Sequence, residues 1–209
     1  MASDPKPSVD SPDQSSLQYF RGFVEGLVDF PLKEWILFVS SLRIKRLKKG
    51  DHLFQQGEFS PIVGFVTRGL IQTYYLDPEG KERTKSFAWE GRLIGNWAYQ
   101  IQGLPSGFSA RAIEDTLVIW ISFERLEELQ KKSLALERLR RKCSEAILIE
   151  RERREYQLLT LTAAERYQAF LKEFSPILPR VPQYLIASYL GITPVALSRL
   201  LANADESPS

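Results

Sequence analysis

The sequence predicts an α+β chain made of three parts: an antiparallel β-roll or jelly roll, a long dimerisation helix, and a small all-α helix-turn-helix domain. Three observations predict it. Between residues 44 and 123, short runs rich in Val, Ile, Tyr and Phe are cut by Gly50, Gly57, Gly69, Gly80, Gly91 and Gly95, the texture of many short antiparallel strands. From 122 to 161 there is no glycine or proline and the composition is helical throughout. From 183 to 202 the run QYLIASYLGITPVALSRLLA reads as two short helices around a tight turn.

Composition bounds what such a chain can do. At 209 residues with 44% hydrophobic content, one large or two small domains can bury proper cores. The net charge of +2 gives no general basic field, so any DNA affinity must come from a local patch. The single cysteine, Cys143, excludes an internal disulfide and a cysteine-rich metal or iron–sulfur site, and His52 is the one histidine. No haem, iron–sulfur cluster or metal is therefore expected. Nor is an enzyme, since no phosphate-cradling glycine loop or serine–histidine arrangement is present. No apolar run reaches the roughly 18 residues of a membrane span, and the N-terminus lacks a signal-peptide core. No membrane partner and a cytoplasmic location follow as expectations.

Taken in order, residues 1–16 are proline, serine and aspartate with little to bury, and are expected to form a disordered leader. The roll domain with its N-terminal helices is predicted over 17–130. Phe20, Phe23, Val24 and Leu27, then Trp35, Ile36 and Val39, fall at helical spacings, and Pro31 suits a helix N-terminus. In the strand region, Ile71 to Tyr75 alternates with period two. Asp77-Pro78-Glu79-Gly80 is a turn, and a new strand starts at Lys81. The last strand is predicted over 117–121.

The long helix is assigned to 131–160. Leu136, Leu139, Cys143, Ala146 and Ile147 recur in it at threes and fours, and the stripe turns polar at Glu150. It is longer than a surface cover on a small roll needs to be, so pairing with a second copy through those five residues is expected. A solvated helix packed on its own domain is the alternative. Arg151, Arg153 and Arg154 alternate with glutamates and are expected to pair within the helix.

The helix-turn-helix domain is predicted over 161–202, with a disordered acidic tail over 203–209. Thr162 and Glu165 form a capping box that opens its first helix, and Pro176, Pro179 and Pro182 close it. Ile186, Ala187 and Leu190 then face inward, and Gly191 supplies the left-handed residue of a helix end. Thr193 and Pro194 cap and start the second helix. Leu197, Leu200 and Leu201 turn inward, leaving Val195, Ser198 and Arg199 outside. A plain helical hairpin is the bland alternative.

A glycine-punctuated roll, one long helix and this C-terminal hairpin resemble the Crp/Fnr transcription regulators. The resemblance runs from about Leu47 to Leu201. It is carried by KKGDHLFQQGEFSPIVGFVTRGLIQTYYLDPEGKE, by GRLIGNWAYQ, and by LTAAERYQAFLKEFSPILPRVPQYLIASYLGITPVALSRL. It implies a cyclic-nucleotide-binding-like roll, a homodimer through the long helix, and promoter binding that activates or represses transcription, with RNA polymerase as a further candidate partner. The recognition helix would enter the major groove of double-stranded DNA, with Gln183, Thr193, Pro194, Val195, Ser198 and Arg199 as the contacting set.

Three departures qualify that expectation. The family's cyclic-nucleotide cassette needs a glutamate and an arginine followed by a hydroxyl, but Asn96 and then Ser106 and Gly107 stand at those positions. Cyclic AMP bound in the usual way is therefore not expected. Trp89, Asn96, Trp97, Tyr99, Ser106, Gly107 and Arg111 are the candidate effector pocket, although the aromatics would equally serve to fill the roll. The histidine and cysteines of the haem and iron–sulfur sensors are lacking. The recognition helix carries Val195 and Ala196 where many members place glutamate and threonine, and no wing or basic tail follows it. Arg166, Lys172, Arg180 and Arg199 meet Glu165, Glu173, Asp205 and Glu206, which leaves the C-terminal part neutral. A binding module with a non-functional DNA reader is thus the second reading.

Overall fold

The computed structural model describes residues 14–205, with side chains to Ala202. Two helices open it, α1 (Gln14–Glu25) and α2 (Leu32–Val39). Eight strands follow: β1 (Arg43–Leu47), β2 (His52–Phe54), β3 (Ile62–Arg68), β4 (Leu70–Leu76), β5 (Glu82–Trp89), β6 (Leu93–Gly95), β7 (Ser109–Ala112) and β8 (Thr116–Ser122). A short helix α3 (Trp97–Gln102) lies between β6 and β7. The chain ends in α4 (Phe123–Gln130), α5 (Leu134–Thr160), α6 (Ala163–Glu173), a 3-10 turn (Ser175–Arg180), α7 (Gln183–Leu190) and α8 (Pro194–Asp205). No single described helix is long and apolar enough to cross a membrane.

The strands form two antiparallel four-stranded sheets, ordered β1-β8-β3-β6 and β2-β7-β4-β5. Their inner faces meet in a core of Leu53, Phe54, Val66, Ile71, Ala88, Phe108, Ala110 and Val118. This is the expected jelly roll. The β4–β5 turn is closed as predicted, by Gly80 N–H to the Asp77 carbonyl at 2.8 Å and Lys81 N–H to the Asp77 carboxylate at 2.8 Å. Gly69, between β3 and β4, has φ +98°, and a Cβ there would strike Thr116, so the turn requires glycine.

A second core covers the outer face of the first sheet. Phe20 and Val24 of α1 with Trp35 and Phe38 of α2 pack against Phe65, Ile119 and Ile121, and Leu126 and Leu129 of α4 join them. The predicted bracing helices are these. They leave one side open, and the first half of α5 closes it with Leu136, Leu139 and Cys143, each 6% exposed or less.

Three expectations need correction. The helical run from 122 is broken: Ser122 ends β8 and caps α4, and Ser133 caps a separate α5 by accepting from Leu136 N–H at 3.0 Å. The stripe Leu136, Leu139 and Cys143 is core of its own roll, so it is not free for a partner, and of the five residues assigned to a dimer only Ala146 and Ile147 lie outside that core. Parts of the two segments expected to be disordered are helical. Helix α1 begins at Gln14 and Ser16 is buried, while α8 continues through 203–205. The rest of both segments lies outside the described residues.

Candidate nucleic-acid interface and effector cleft

The hairpin of α7 and α8 has the angle of a DNA-reading pair. The two helices are bent by 99°, within the range of helix-turn-helix motifs. Gly191 makes the corner with φ +71°, and Ile192 N–H returns to the Ala187 carbonyl at 3.0 Å. Thr193 Oγ1 accepts from Ala196 N–H at 3.1 Å and so caps α8. Leu185, Ile186, Ala187, Leu190 and Leu197 are buried beneath. Thr193, Pro194, Val195, Ser198 and Arg199 are all exposed on one end of α8, and Gln183 is exposed at the start of α7. All six sequence-predicted reader positions are thus exposed on the two helices of the hairpin.

Two of the four cations in this domain are spent on the protein itself. Arg166 donates to the Leu190 carbonyl at 2.9 Å and the Leu161 carbonyl at 2.6 Å. Arg180 pairs with Glu90 and Glu114 of the roll. Lys172 and Arg199 remain exposed. The domain is also docked: Phe87 and Trp89 on the outer face of the second sheet pack against Phe170, Phe174 and Tyr189. Ser188 Oγ accepts from Thr84 N–H of the edge strand β5 at 2.9 Å, satisfying a donor that a bare sheet edge would leave to water. Sequence reasoning missed this seam, since nothing in the local pattern of β5 distinguishes Phe87 and Trp89 as outward-facing.

The predicted effector residues divide. Trp89 belongs to the seam and not to a pocket. Arg111 points away from the roll interior, where Glu82 takes it in a bidentate pair at 2.6 and 2.7 Å and Gln72 accepts from it at 3.1 Å. Its hydrogen bonds to Glu82 raise its already high pKa. Asn96, Tyr99, Ser106 and Gly107 stay at the roll end of α3. There the Tyr99 hydroxyl and ring occupy the space a Cβ on Gly107 would need, and Tyr99 packs on Phe108 at 6.1 Å. Ser106 Oγ donates to the Phe108 carbonyl at 2.7 Å. Asn96 is 1% exposed, and neither its Nδ2 nor its Oδ1 has a partner. Among the described residues no arginine is hydrogen-bonded to Asn96 or Ser106.

Trp97 lines a different space. A cleft of about 1060 Å³ runs along α5, walled by β5 on the other side and ending at the α7–α8 corner. Tyr75, Lys85, Phe108, Arg151, Arg154 and Thr193 are among its residues. Lys85 Nζ sits 4.8 Å from the centre of the Phe108 ring. Burial, then the nearby Arg151, hold its ammonium down to about 8, against the opposing pull of Glu150. Arg154 lies over Tyr189 at 3.7 Å and donates to its carbonyl, leaving Nη1 buried and unpaired. The expected intrahelical pairs of Arg153 and Arg154 are not made; Arg153 reaches Glu173 of α6 at 3.7 Å instead.

A two-sheet roll followed by a long helix and a docked helix-turn-helix defines a sensor-and-reader class of regulator. Residues 44–133 match the family described as the cyclic nucleotide-binding domain. The chain is 36% identical over 133 residues to the transcriptional activator protein anr of Pseudomonas aeruginosa, covering 64% of this chain and 54% of that protein. It is 32% identical over 179 residues to the transcriptional activator protein FnrA of Stutzerimonas stutzeri, covering 79% and 71%. The chain spans about a third to a half of the length of the two Anr proteins it matches. Its fold is that of FixK2 from Bradyrhizobium japonicum, with a TM-score of 0.66 at 24% identity over 78% of this chain and 83% of that one. The chain belongs to the Crp/Fnr family of transcription regulators.

Proposed function

We propose that the chain is a dimeric regulator that binds double-stranded DNA in the cytoplasm through α8, and that its roll senses something other than cyclic AMP. The observation that carries the DNA reading is the open face of α8, where Ser198, Arg199 and the 61%-exposed Val195 stand clear of the docked seam. Arg199 suits a guanine edge or a phosphate, Val195 a thymine methyl, and the exposed N-termini of α7 and α8 suit phosphates. The dimer face we assign is not the buried stripe but its opposite. Leu148, Ile149, Tyr156 and Leu159 are exposed and lie within about a quarter turn of one another on α5. A second copy of the same helix covers such a stripe isologously. RNA polymerase is the partner that promoter binding would bring. The loss of a phosphate-binding pair under Tyr99 supports an effector other than cyclic AMP. One cysteine and one histidine support a regulator without haem or cluster, for which a featureless visible spectrum after anaerobic purification is the test.

The experiment is selection from random duplexes followed by salt titration, with sedimentation of the free protein. Enrichment of a two-half-site sequence, with half-sites spaced by about one helical turn, is expected. If no duplex is enriched and retention vanishes at physiological salt for every sequence, the second reading stands: a binding module whose reader no longer reads. What favours that second reading is the internal use of Arg166 and Arg180, which leaves few cations for phosphate.

A further inference from the structure

We infer that the core beneath α1 and α2, on the outer face of the first sheet, holds a binding site for a small uncharged apolar molecule of a few heavy atoms. The site lies outside the roll interior and outside the cleft along β5, and it is independent of whether α8 reads DNA.

The helices that cover the first sheet do not fill the space they enclose. A cavity of about 50 Å³ remains over the centre of the sheet. Val63, Phe65 and Ile119 line it from the strands, Phe20 and Phe38 from α1 and α2, and Leu139 from α5. All six are 8% exposed or less, so the space belongs to the interior, where voids larger than a water molecule are few. Rigid rings account for it. Phe20 and Phe23 both rest on Phe65, with ring centres 5.0 and 4.8 Å away. The chain's one methionine is Met1, so no such flexible side chain fills the irregular gap that the rings leave.

The size and chemistry of the lining set the occupant. One water needs only about 10–15 Å³ by this kind of measure, so the cavity has room for more than one. Yet water is poorly served there. Among the described residues its lining carries no carboxylate, amide or hydroxyl side chain; the polar side-chain groups are the Arg140 guanidinium, the indoles of Trp97 and Trp120, and the Cys143 thiol. Guanidinium and indole only donate, and a thiol accepts weakly. Arg140 is already taken by Glu127 and Gln130, and the strand backbone is paired across β3 and β8. A water would thus lack acceptors for its own hydrogens. Engineered apolar cavities of ~150 Å³ stay dry and take benzene or xenon; at about a third of that volume, this one suits an occupant smaller than benzene. Such a molecule restores the dispersion contacts that the lining forfeits, and by mass action stabilises the packing of α1 and α2 on the sheet.

The test is titration of the methyl-labelled full chain with dissolved xenon, followed by nuclear magnetic resonance, with formamide as a small polar probe. Xenon is expected to shift the methyl resonances of Ile119, Leu136 and Leu139 along a curve that levels off. Leu53 and Ile71 of the roll interior should stay in place. Formamide should produce no such curve. Cys143→Leu and Val63→Ile each add carbon to the cavity, and each should abolish the curved response. Far-ultraviolet dichroism reports folding, and should one variant fail to fold, the other decides. Equal shifts in both cores, no shift, a curved response to formamide, or an undiminished response in a folded variant overturns the inference.

Discussion

Arg180 grips Glu90 with both ends of its guanidinium: Nη1 donates to Oε2 and Nη2 to Oε1, each at 3.0 Å. Nη2 also reaches Glu114 Oε1 at 2.5 Å. Glu90 is fixed in turn by Gly69 N–H at 2.7 Å. The 3-10 turn before α7 is thus pinned to two loops of the roll by one planar, fork-shaped group, a geometry that lysine does not reproduce. Arg180→Ala should loosen the reader from the roll by about 1–2 kcal/mol, allowing for solvent screening at a side chain 28% exposed. Hydrogen exchange of the amides in β5 and α7 measures it, with faster exchange in both expected. Arg180→Lys should recover only part of the protection.

The same clamp fixes a response to acid. Burial by itself would raise the Glu90 carboxyl, but the hydrogen bonds from Arg180 and Gly69 outweigh it and hold the group below its ordinary 4.5. A carboxylate with a lowered folded pKa adds stability above its ordinary value and loses it as pH falls through the lowered one. Docking should therefore hold at neutral pH and weaken below about pH 4.5. Following Trp89 fluorescence on acidification checks this, because Trp89 packs on Phe174 at 5.5 Å across the seam. In Glu90→Gln the transition should flatten.

Leu136 and Leu159 sit on opposite faces of α5, and their substitutions should fail differently. Leu136→Ala removes a side chain 1% exposed in the roll's outer core and should cost about 2–5 kcal/mol of folding stability. Leu159→Glu, at 77% exposed, should leave the fold intact and shift the protein to monomer in sedimentation. If Leu159→Glu sediments as wild type, the dimer face assigned here is wrong.

Those two leucines also mark how far the sequence could be read. Turn chemistry and caps are local, so Asp77–Lys81, Thr162–Glu165 and Gly191–Thr193 were legible as they stand. The roll was legible too, because its glycines and alternating runs have few other uses. The faces of α5 were not. Periodicity shows that a stripe exists but not what covers it, and the open side of the α1–α2 core took the stripe at Leu136 that was assigned to a partner. Lys85 and Arg180 were missed for a related reason. A charged residue in a strand or a proline-rich turn reads as solvated until the fold places it opposite Arg151 or Glu90.

In the reader, Arg199→Ala should weaken binding to a selected duplex by roughly 1–3 kcal/mol and relax preference at one base position. Lys172→Ala should weaken all sequences about equally and lower the salt slope by about one. Competition binding at several salt concentrations separates the two. An Arg199→Ala protein with unchanged sequence preference would remove α8 from base recognition.

Lys85 supplies a pH test of the cleft that needs no substitution in the reader. Its folded pKa, about 8, lies below the ordinary 10.5 because burial and Arg151 disfavour the ammonium more than Glu150 favours it. The folded state therefore binds fewer protons than the unfolded state between about pH 8 and 10.5. Stability contributed by this site should rise with pH across that window, the full cost of the buried charge being felt below it. Chemical denaturation at a series of pH values reads the slope, and Lys85→Met should abolish it. A wild-type stability that stays level through this window would show that Lys85 is not held down by its surroundings.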